Sequence, residues 1–493
     1  MAPSRSTRAS CWRRSSVVAV DRDRLHRTLT PRSVAVVGAK GPDFGWLENN
    51  RDFVGPLYSV QLDPNEITEI EKRGFTNYLK LEEVPEDIDL VICAVPRPIV
   101  PFIVSDSIKK NVGGMAIFSA GFAETGEEEA TELQDRIVQL ANDAGMPIVG
   151  PNCMGVYNRR QGVKFSDGVD HGDGGTVSIM GQSGTHTIGA TTMAQRVGIP
   201  VSRGISFGNA VVVNEADYIE YLRDDPDTQV IGVYLEGLKD GRRFFEALRS
   251  TTPKKPVVIW KGGQTAAGQR ATRSHTASLA TPMATWNALL AQTGAIPANS
   301  VDELVDVLQV LVHTTPPRGR RLALMAMTGG QSVAISDAVG RQGLEVPELA
   351  DKTYETIGEF FNVIGGSFRN PFDMANTIGM AGDSANLARI MNAVSEDPNI
   401  DAMVFEVAAG FFSRMWRDEP ERLDEMLDTL DGFRERTGLP IVTVMHAGAI
   451  DDEVIPIRDQ VVARGFAVFP SFDRAALALS RVINYYEWVD EAG

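Results

Sequence analysis

From about Thr30 onward, short unbroken apolar runs alternate with longer stretches whose apolar residues recur at helical spacing. The first runs are Ser33–Val37, Leu57–Leu62, Asp89–Val95, Gly114–Ser119 and Pro147–Val149, with helical patterns over Val100–Asn111 and Glu127–Ala144 between them. Continuous apolar runs bounded by turns predict strands buried on both faces. Such strands alternating with helices predict a parallel sheet covered on both sides. A second unit starts near Gly174: the strand Thr176–Met180, the turn GQSGTHT (Gly181–Thr187), a helix to Val197, then strands Gly204–Phe207, Val230–Leu235 and Val257–Trp260. A third follows the segment PPRGRR (Pro316–Arg321), with strand Leu322–Met327, turn TGGQS (Thr328–Ser332), helix Val333–Gln342, and strands Ala402–Val407 and Pro440–Met445. The last two units share one layout of apolar strand, Gly-Gln-Ser turn and helix, a short internal repeat. The predicted class is α/β with three doubly wound parallel-sheet units. The boundaries fall at a flexible basic arm 1–29, then 30–165, 166–316 and 317–493.

Composition narrows the function. The 493 residues suit about three domains of ordinary size. A formal charge of −17 argues against nucleic acid as a partner, because phosphate neutralisation needs a basic surface. No apolar run approaches the ~18 residues of a membrane span. Three cysteines, Cys11, Cys93 and Cys153, show no paired spacing. They fit a reducing cytosol and exclude a disulfide scaffold, so the expected location is cytoplasmic. The six histidines form no HExxH and no pair at metal-ligand spacing, and no metal site is expected. Residues 1–20 carry Arg5, Arg8, Arg13 and Arg14 among serines with no acid, a composition shared by transit peptides and by flexible arms.

His275 is the leading chemical candidate. It lies in KGGQTAAGQRATRSHTASLATP (Lys261–Pro282), a stretch of small and polar residues following a buried strand. Lacking an apolar stripe, the stretch reads as a mobile loop presenting one imidazole. An isolated histidine is usually structural, but a loop at the carboxyl end of a sheet strand is where open α/β folds place their sites, and imidazole can act as a covalent nucleophile. Glu236 ends the preceding strand, within range to orient that ring by a hydrogen bond to one nitrogen. The turn Gly181, Gln182, Ser183, Gly184 and Thr185 aims backbone N–H groups and a helix N-terminus off the sheet, an anion cradle. The same residues are also good turn and cap formers. The first turn, VVGAKGPDFG, places glycines at Gly38, Gly41 and Gly45, which is not the GxGxxG spacing. Asp63 sits where a dinucleotide fold could place a ribose acid, although an ordinary turn residue is the simpler reading. Phe207, Trp286, Phe361 and Phe368 are candidates for an acyl pocket or for core.

Several motifs in order carry a resemblance: SVAVVGA (33–39), VPEDIDLVICAVP (84–96), SAGFAETGEE (119–128), GMPIVGPNCMGVYN (145–158), GQSGT (181–185), SFGNA (206–210), YLEG (234–237), SHTASLA (274–280) and RNPFDM (369–374). From about Pro31 to its end the chain resembles the α subunit of the NDP-forming acyl-CoA synthetases, in the succinyl-CoA synthetase superfamily, and most nearly the ADP-forming acetate–CoA ligase type. The resemblance implies a Rossmann-like CoA-binding domain followed by two flavodoxin-like succinyl-CoA-ligase-type domains. It implies that acyl-CoA and phosphate give an acyl phosphate, that His275 takes the phosphoryl group, and that its loop carries the group to ADP on an ATP-grasp domain. Glu236 matches the acid that orients the histidine. Gly38, Pro96, Ser119 and Gly121 match CoA-binding loops, Lys40 is a candidate phosphate partner, and Asn152 and Cys153 border the acyl-transfer centre. Three stretches depart from the family pattern: a contracted first loop, Ala277 and Thr281 in place of glycines in SHTGALAG, and TGGQSVA in place of TNAGGPG.

No ATP-grasp region is recognisable in the chain. The resemblance therefore implies a separate ATP-grasp β subunit that supplies ATP or ADP with Mg²⁺, in a hetero-oligomer such as α2β2, acting on a small carboxylic acid. Other readings remain open at this point. They are a non-catalytic CoA- or acyl-CoA-binding protein, a CoA-thioester enzyme that no longer uses the histidine, and a nicotinamide dehydrogenase.

Overall fold

The computed structural model describes residues 20–492 apart from 277–281, 328, 380–382, 384 and 447–450, and only the backbone of 273–276, 451 and 492. The first sheet comprises β1 (Val34–Val37), β2 (Leu57–Val60), β3 (Thr76–Tyr78), β4 (Leu90–Cys93), β5 (Gly114–Ile117) and β6 (Ile148–Val149). Its order is β3-β2-β1-β4-β5-β6, every pair parallel, as in dinucleotide-binding folds. The second sheet comprises β7 (Gly155–Asn158), β8 (Val177–Gly181), β9 (Val201–Ser206), β10 (Val230–Leu235), β11 (Val257–Lys261) and β12 (Ile296–Ala298), ordered β12-β11-β10-β8-β9-β7. The third comprises β13 (Leu322–Ala326), β14 (Phe372–Asp373), β15 (Ala402–Glu406), β16 (Ile441–Val444) and β17 (Val468–Phe469), ordered β14-β13-β15-β16-β17. Counting strands within each unit, the parallel parts of both are 2-1-3-4-5, the flavodoxin-like order. The expected α/β class, three mostly parallel units of which the last two have the flavodoxin-like order, is what the chain adopts.

Central strands are mostly apolar because helices cover both faces, and β1, β4, β5, β8, β10, β13, β15 and β16 are buried throughout, with Ser178, Glu406 and Thr443 the polar positions among them. The units share their cores. One cluster joins Ile179, Leu304 and Leu308 of the second unit to Leu324, Ala475 and Leu479 of the third. Another joins Leu29 and Val34 of the first unit to Phe207 and Tyr218 of the second. The C-terminal helix Phe472–Ala492 returns across the boundary to pack on the helix Val301–His313.

Two boundaries differ from expectation. Residues 22–29 belong to no arm: Arg22–Leu29 is a helix capped by Asp21, whose carboxylate accepts from the N–H of Asp23 and of Arg24. Leu25 and Leu29, one turn apart, are buried, Arg27 pairs with buried Asp89 at 2.6 Å, and Asn158 donates to the Leu29 carbonyl. The arginine-rich segment 1–19 lies outside the described residues. Strand β7 pairs antiparallel with β9, so Gly155–Asn158 joins the second sheet although it lies in the stretch assigned to the first unit.

Replacing Leu29 by Ala is expected to cost ~2–5 kcal/mol by leaving a cavity under the first sheet. Urea unfolding of the variant beside wild type reads this directly as a lower midpoint.

Candidate functional site at the carboxyl edges of two sheets

Each sheet reverses its strand order beside its unit's leading strand: between β1 and β4, between β8 and β10, and between β13 and β15. Ligands of open α/β sheets bind in the crevice outside the carboxyl ends at such points. Gly38 follows β1 and Pro96 lies three residues beyond β4; Gly181 closes β8, Gln182–Thr185 follow it, and Glu236 follows β10.

At the second switch point the turn is narrow. A Cβ on Gly181 would lie 2.6 Å from Thr187 Oγ1 and 3.2 Å from Tyr234 Cβ. Gln182 is buried, and its side-chain oxygen accepts from the N–H of Glu236 at 2.5 Å and of Gly237 at 3.0 Å. That side chain braces the strand end, and the Gln182 N–H itself donates to the Tyr234 carbonyl at 3.2 Å. Ser183 caps the helix Gly184–Arg196, its Oγ accepting from His186 N–H at 3.5 Å. The N–H groups of Gly184 and Thr185, at the first positions of this helix, have no carbonyl partner within it, and they supply the positive end of its dipole. Glu236 is only 6% exposed and accepts from the Tyr234 hydroxyl at 3.2 Å. Lys261, the last residue of β11, donates to the Glu236 carbonyl at 2.7 Å. Burial lowers the Lys261 pKa, and the Glu236 charge opposes that shift. His186, Tyr234 and Trp260 form a cluster of mutually tilted rings, His186 lying 4.5 Å from Tyr234 and 4.6 Å from Trp260 between centroids. Sequence reading passed over Tyr234, Lys261 and His186. A lysine closing an otherwise apolar strand was the available signal.

At the first switch point Gly38 adopts φ +86°, and a Cβ there would meet Val95 Cγ1 at 2.6 Å. Lys40 and Pro96 are exposed. Ser119 is buried and its hydroxyl donates to the Val95 carbonyl. Gly121 (φ +93°) donates its N–H to Glu124 Oε1 at 2.6 Å. Glu124 also accepts from Phe122 N–H and from the Asn209 side chain at 2.6 Å. Asn209 Oδ1 in turn accepts from Asn152 Nδ2 at 3.4 Å, and Asn152 N–H donates to the Ser119 carbonyl. This closed circuit ties the first unit to the residues following β9. Glu124 and Asn209 were inside quoted motifs yet were not singled out. Asn152 itself is at φ +57°. The Cys153 side chain faces the core: its thiol donates to the carbonyls of Ile117 and Val149, and burial pushes its pKa up to about 12. Asp63 caps the helix Pro64–Lys72, accepting from Asn65 N–H, the ordinary turn role.

His275 does not lie in a loop. Its backbone belongs to the helix Ala266–Thr276, which packs against the turn Ala123–Thr125 of the first unit. Small residues make this possible without an apolar stripe. The Thr265 hydroxyl caps the start by accepting from Gly268 N–H, and Thr272 is buried beside Gly263, where a Cβ would lie 2.8 Å from its Oγ1. The His275 side chain and residues 277–281, including Ala277 and Thr281, are outside the described set.

The third sheet carries a buried carboxylate at its own switch point. Glu406 accepts from Met327 N–H at 2.8 Å, its pKa is raised by burial, and His446 Nε2 stands 3.7 Å away. Of the aromatic pocket candidates, Phe207, Trp286 and Phe361 are core residues, and Phe368 packs edge-on against Tyr354 and Phe361. Among the described residues no group of three or more metal-type ligands occurs, and no helix is long and apolar enough to cross a membrane.

Comparison with known proteins agrees with this geometry. Residues 32–159 match the CoA binding domain family, and residues 174–311 the succinyl-CoA ligase like flavodoxin domain family. The chain is 30% identical over 427 residues to the α subunit of ADP-forming acetate–CoA ligase II of Pyrococcus furiosus, covering 86% of this chain and 90% of that one. It is 33% identical over 385 residues to ADP-forming acetate–CoA ligase I of Archaeoglobus fulgidus, covering 77% of this chain and 54% of that longer one. The dinucleotide-forming acetyl-coenzyme A synthetase 1 of Ca. Korarchaeum cryptofilum, solved with phosphate and ADP, superposes with a TM-score of 0.80 at 25% identity, covering 94% of this chain and 97% of that one.

Two outcomes test the site's construction. Gln182→Ala leaves two buried N–H groups unsatisfied and is expected to destabilise by ~1–3 kcal/mol in chemical denaturation. Cys93 and Cys153, both buried with thiol pKa values near 12, are expected to resist iodoacetamide in the native protein at pH 8 and to label fully in urea, as read by peptide mass.

Proposed function

The chain belongs to the family of ADP-forming acetate–CoA ligase α subunits, and from that premise we propose that it interconverts a carboxylic acid, CoA and ATP with acyl-CoA, ADP and phosphate through a phosphohistidine at His275. The observation that carries the proposal is the second switch point: a helix N-terminus after β8 and a buried carboxylate after β10, held together by Gln182. The strand beside them, β11, leads into the helix bearing His275.

In the ATP-making direction a phosphate oxygen attacks the thioester carbonyl, the C–S bond breaks, and CoA leaves as the thiol after taking up a proton. A His275 ring nitrogen then attacks the phosphorus of the acyl phosphate, and the P–O bond to the acyl group breaks to release the carboxylate. Glu236 accepts the N–H of the other ring nitrogen, keeping the attacking nitrogen neutral and nucleophilic. The N–H groups of Gly184 and Thr185, with the hydroxyls of Ser183 and Thr185, hold the phosphoryl oxygens at the helix end. Gly38, Lys40, Pro96, Ser119 and Gly121 border the CoA site, with Asn152 at its junction to the second unit and Cys153 packed beneath. An ATP-grasp partner subunit in a hetero-oligomer takes the phosphoryl group to ADP and carries Mg²⁺. The last turn of the helix Ala266–Thr276 must leave its place for that transfer.

The test is incubation with a co-expressed ATP-grasp partner, Mg²⁺ and γ-labelled ATP, with His275→Ala alongside. Acid-labile, base-stable label on wild type, absent from His275→Ala, is the expected result. An unlabelled wild type that still binds CoA would overturn the relay in favour of a CoA-binding protein or a nucleotide-independent thioester enzyme. Glu236→Gln keeps the shape but loses the charge, and is expected to slow labelling by about 10²-fold or more.

A further inference from the structure

A cavity of about 470 Å³ opens along β12, the edge strand of the second sheet. Two units build it. Leu290 comes from the helix Met283–Thr293 and Pro297 from β12, while Arg481, Asn484, Tyr485 and Trp488 come from the C-terminal helix of the third unit. The aromatic wall is fixed in place. The Tyr485 hydroxyl donates to the Thr252 carbonyl at 2.8 Å. Gly294 (φ +68°) ends the helix Met283–Thr293, and a Cβ there would collide with the Trp488 ring, so the indole rests directly on this backbone. Pro297, at the centre of β12, has no N–H to offer a further strand, which excludes occupation by strand addition.

Among the described residues lining this cavity, Arg481 is the one charged group. Its side chain is 24% exposed, and the nearest carboxylate, Glu303, stands 3.9 Å away, too far for a hydrogen bond. Glu303 Oε2 is already engaged: it accepts the Asn299 backbone N–H and the Asn299 side chain, each at 2.9 Å. The guanidinium is thus largely withdrawn from water without a matched oxyanion, although its planar fork of donors suits one. Asn484, one turn along the same helix, has its side-chain oxygen engaged by Arg320 at 2.5 Å, so its amide adds N–H donors. An inorganic anion would leave the aromatic wall bare, and a neutral apolar ligand would desolvate Arg481 further with nothing in return. We propose that this cavity binds a small organic acid with an aromatic body, its carboxylate paired with Arg481 and its ring against Tyr485 and Trp488. The volume suits such a ligand, and flat rings favour aromatic contact. This second ligand site is independent of the CoA-ligase reading above.

Calorimetric titration of the full chain with indole-3-acetate and with indole-3-ethanol, the same ring without the charge, tests it. The acid is expected to bind about tenfold or more tightly than the alcohol, the worth of one charge-assisted pair. Arg481→Gln should abolish that preference, and Arg481→Lys should keep part of it. Trp488→Ala should weaken both probes. Arg481 makes no hydrogen bond within the fold that its loss would orphan, so Arg481→Gln keeps the test valid if Trp488→Ala fails to fold. Saturating acid should also raise the thermal midpoint of wild type and leave that of Arg481→Gln unmoved, since a ligand that binds only the folded chain stabilises it. Absence of binding by either probe would overturn the proposal. So would acid binding that survives Arg481→Gln unchanged, which would place the acid elsewhere, at the acyl site of the reaction proposed above. His275→Ala should bind the acid as wild type does, so a failure of the phosphohistidine relay and a failure of this site are distinguishable.

Discussion

One side-chain oxygen sets the geometry of the second switch point. The parallel ladder between β8 and β10 ends at the pair Gly181–Tyr234, and beyond it the chains are free to splay, one into a helix and one into a loop. Gln182 prevents this by accepting the N–H groups of both Glu236 and Gly237. In a buried setting each of those groups would cost ~1–3 kcal/mol if left unsatisfied, so the turn and the carboxylate are locked at one separation. The third unit solves the same problem in reverse. There the side chain comes from the strand end, and Glu406 reaches across to accept Met327 N–H from the neighbouring turn. Two units with one strand order thus use opposite partners to close the same gap.

Packing between units then decides what the locked site can meet. Met154 rests on Gly184, the Glu124–Asn209–Asn152 circuit crosses from the first unit to the second, and the helix Ala266–Thr276 lies on Ala123–Thr125. Each contact joins the carboxyl edge of the first sheet to that of the second. Common cores beneath fix the orientation, since buried clusters run through both unit boundaries. A chemistry that needs CoA and a phosphoryl anion at one place is served by this arrangement without any rearrangement of whole units.

Long central strands were legible in the sequence because burial on both faces makes nearly every position apolar. The edge strands β3, β12, β14 and β17 were not, since two or three residues carry too little pattern to separate them from loops. The helix at Arg22–Leu29 was hidden by its arginines, whose charges are met by Asp89 and by the carbonyls of Val112 and Ala144, acceptors distant in sequence. The segment around His275 misled for a related reason. Absence of an apolar stripe was read as absence of a helix, yet glycine and threonine let that helix sit close against Gly263. Motif order pointed to loops that lie at the carboxyl ends of the first two sheets. It did not reveal that Gln182 points inward, that the Cys153 thiol faces the core, or that Glu124 and Asn209 carry the junction, because those depend on side-chain direction.

The central claim is that the second switch point stabilises a phosphoryl group on His275. ³¹P NMR of the isolated chain mixed with an acyl phosphate tests it most directly, since the acyl phosphate can donate the group without nucleotide or partner. The account predicts a protein-bound nitrogen-linked phosphate resonance that is present in wild type, weakened in Glu236→Gln and absent in His275→Ala. A spectrum showing only acyl phosphate and free inorganic phosphate, with the fold intact, would contradict it.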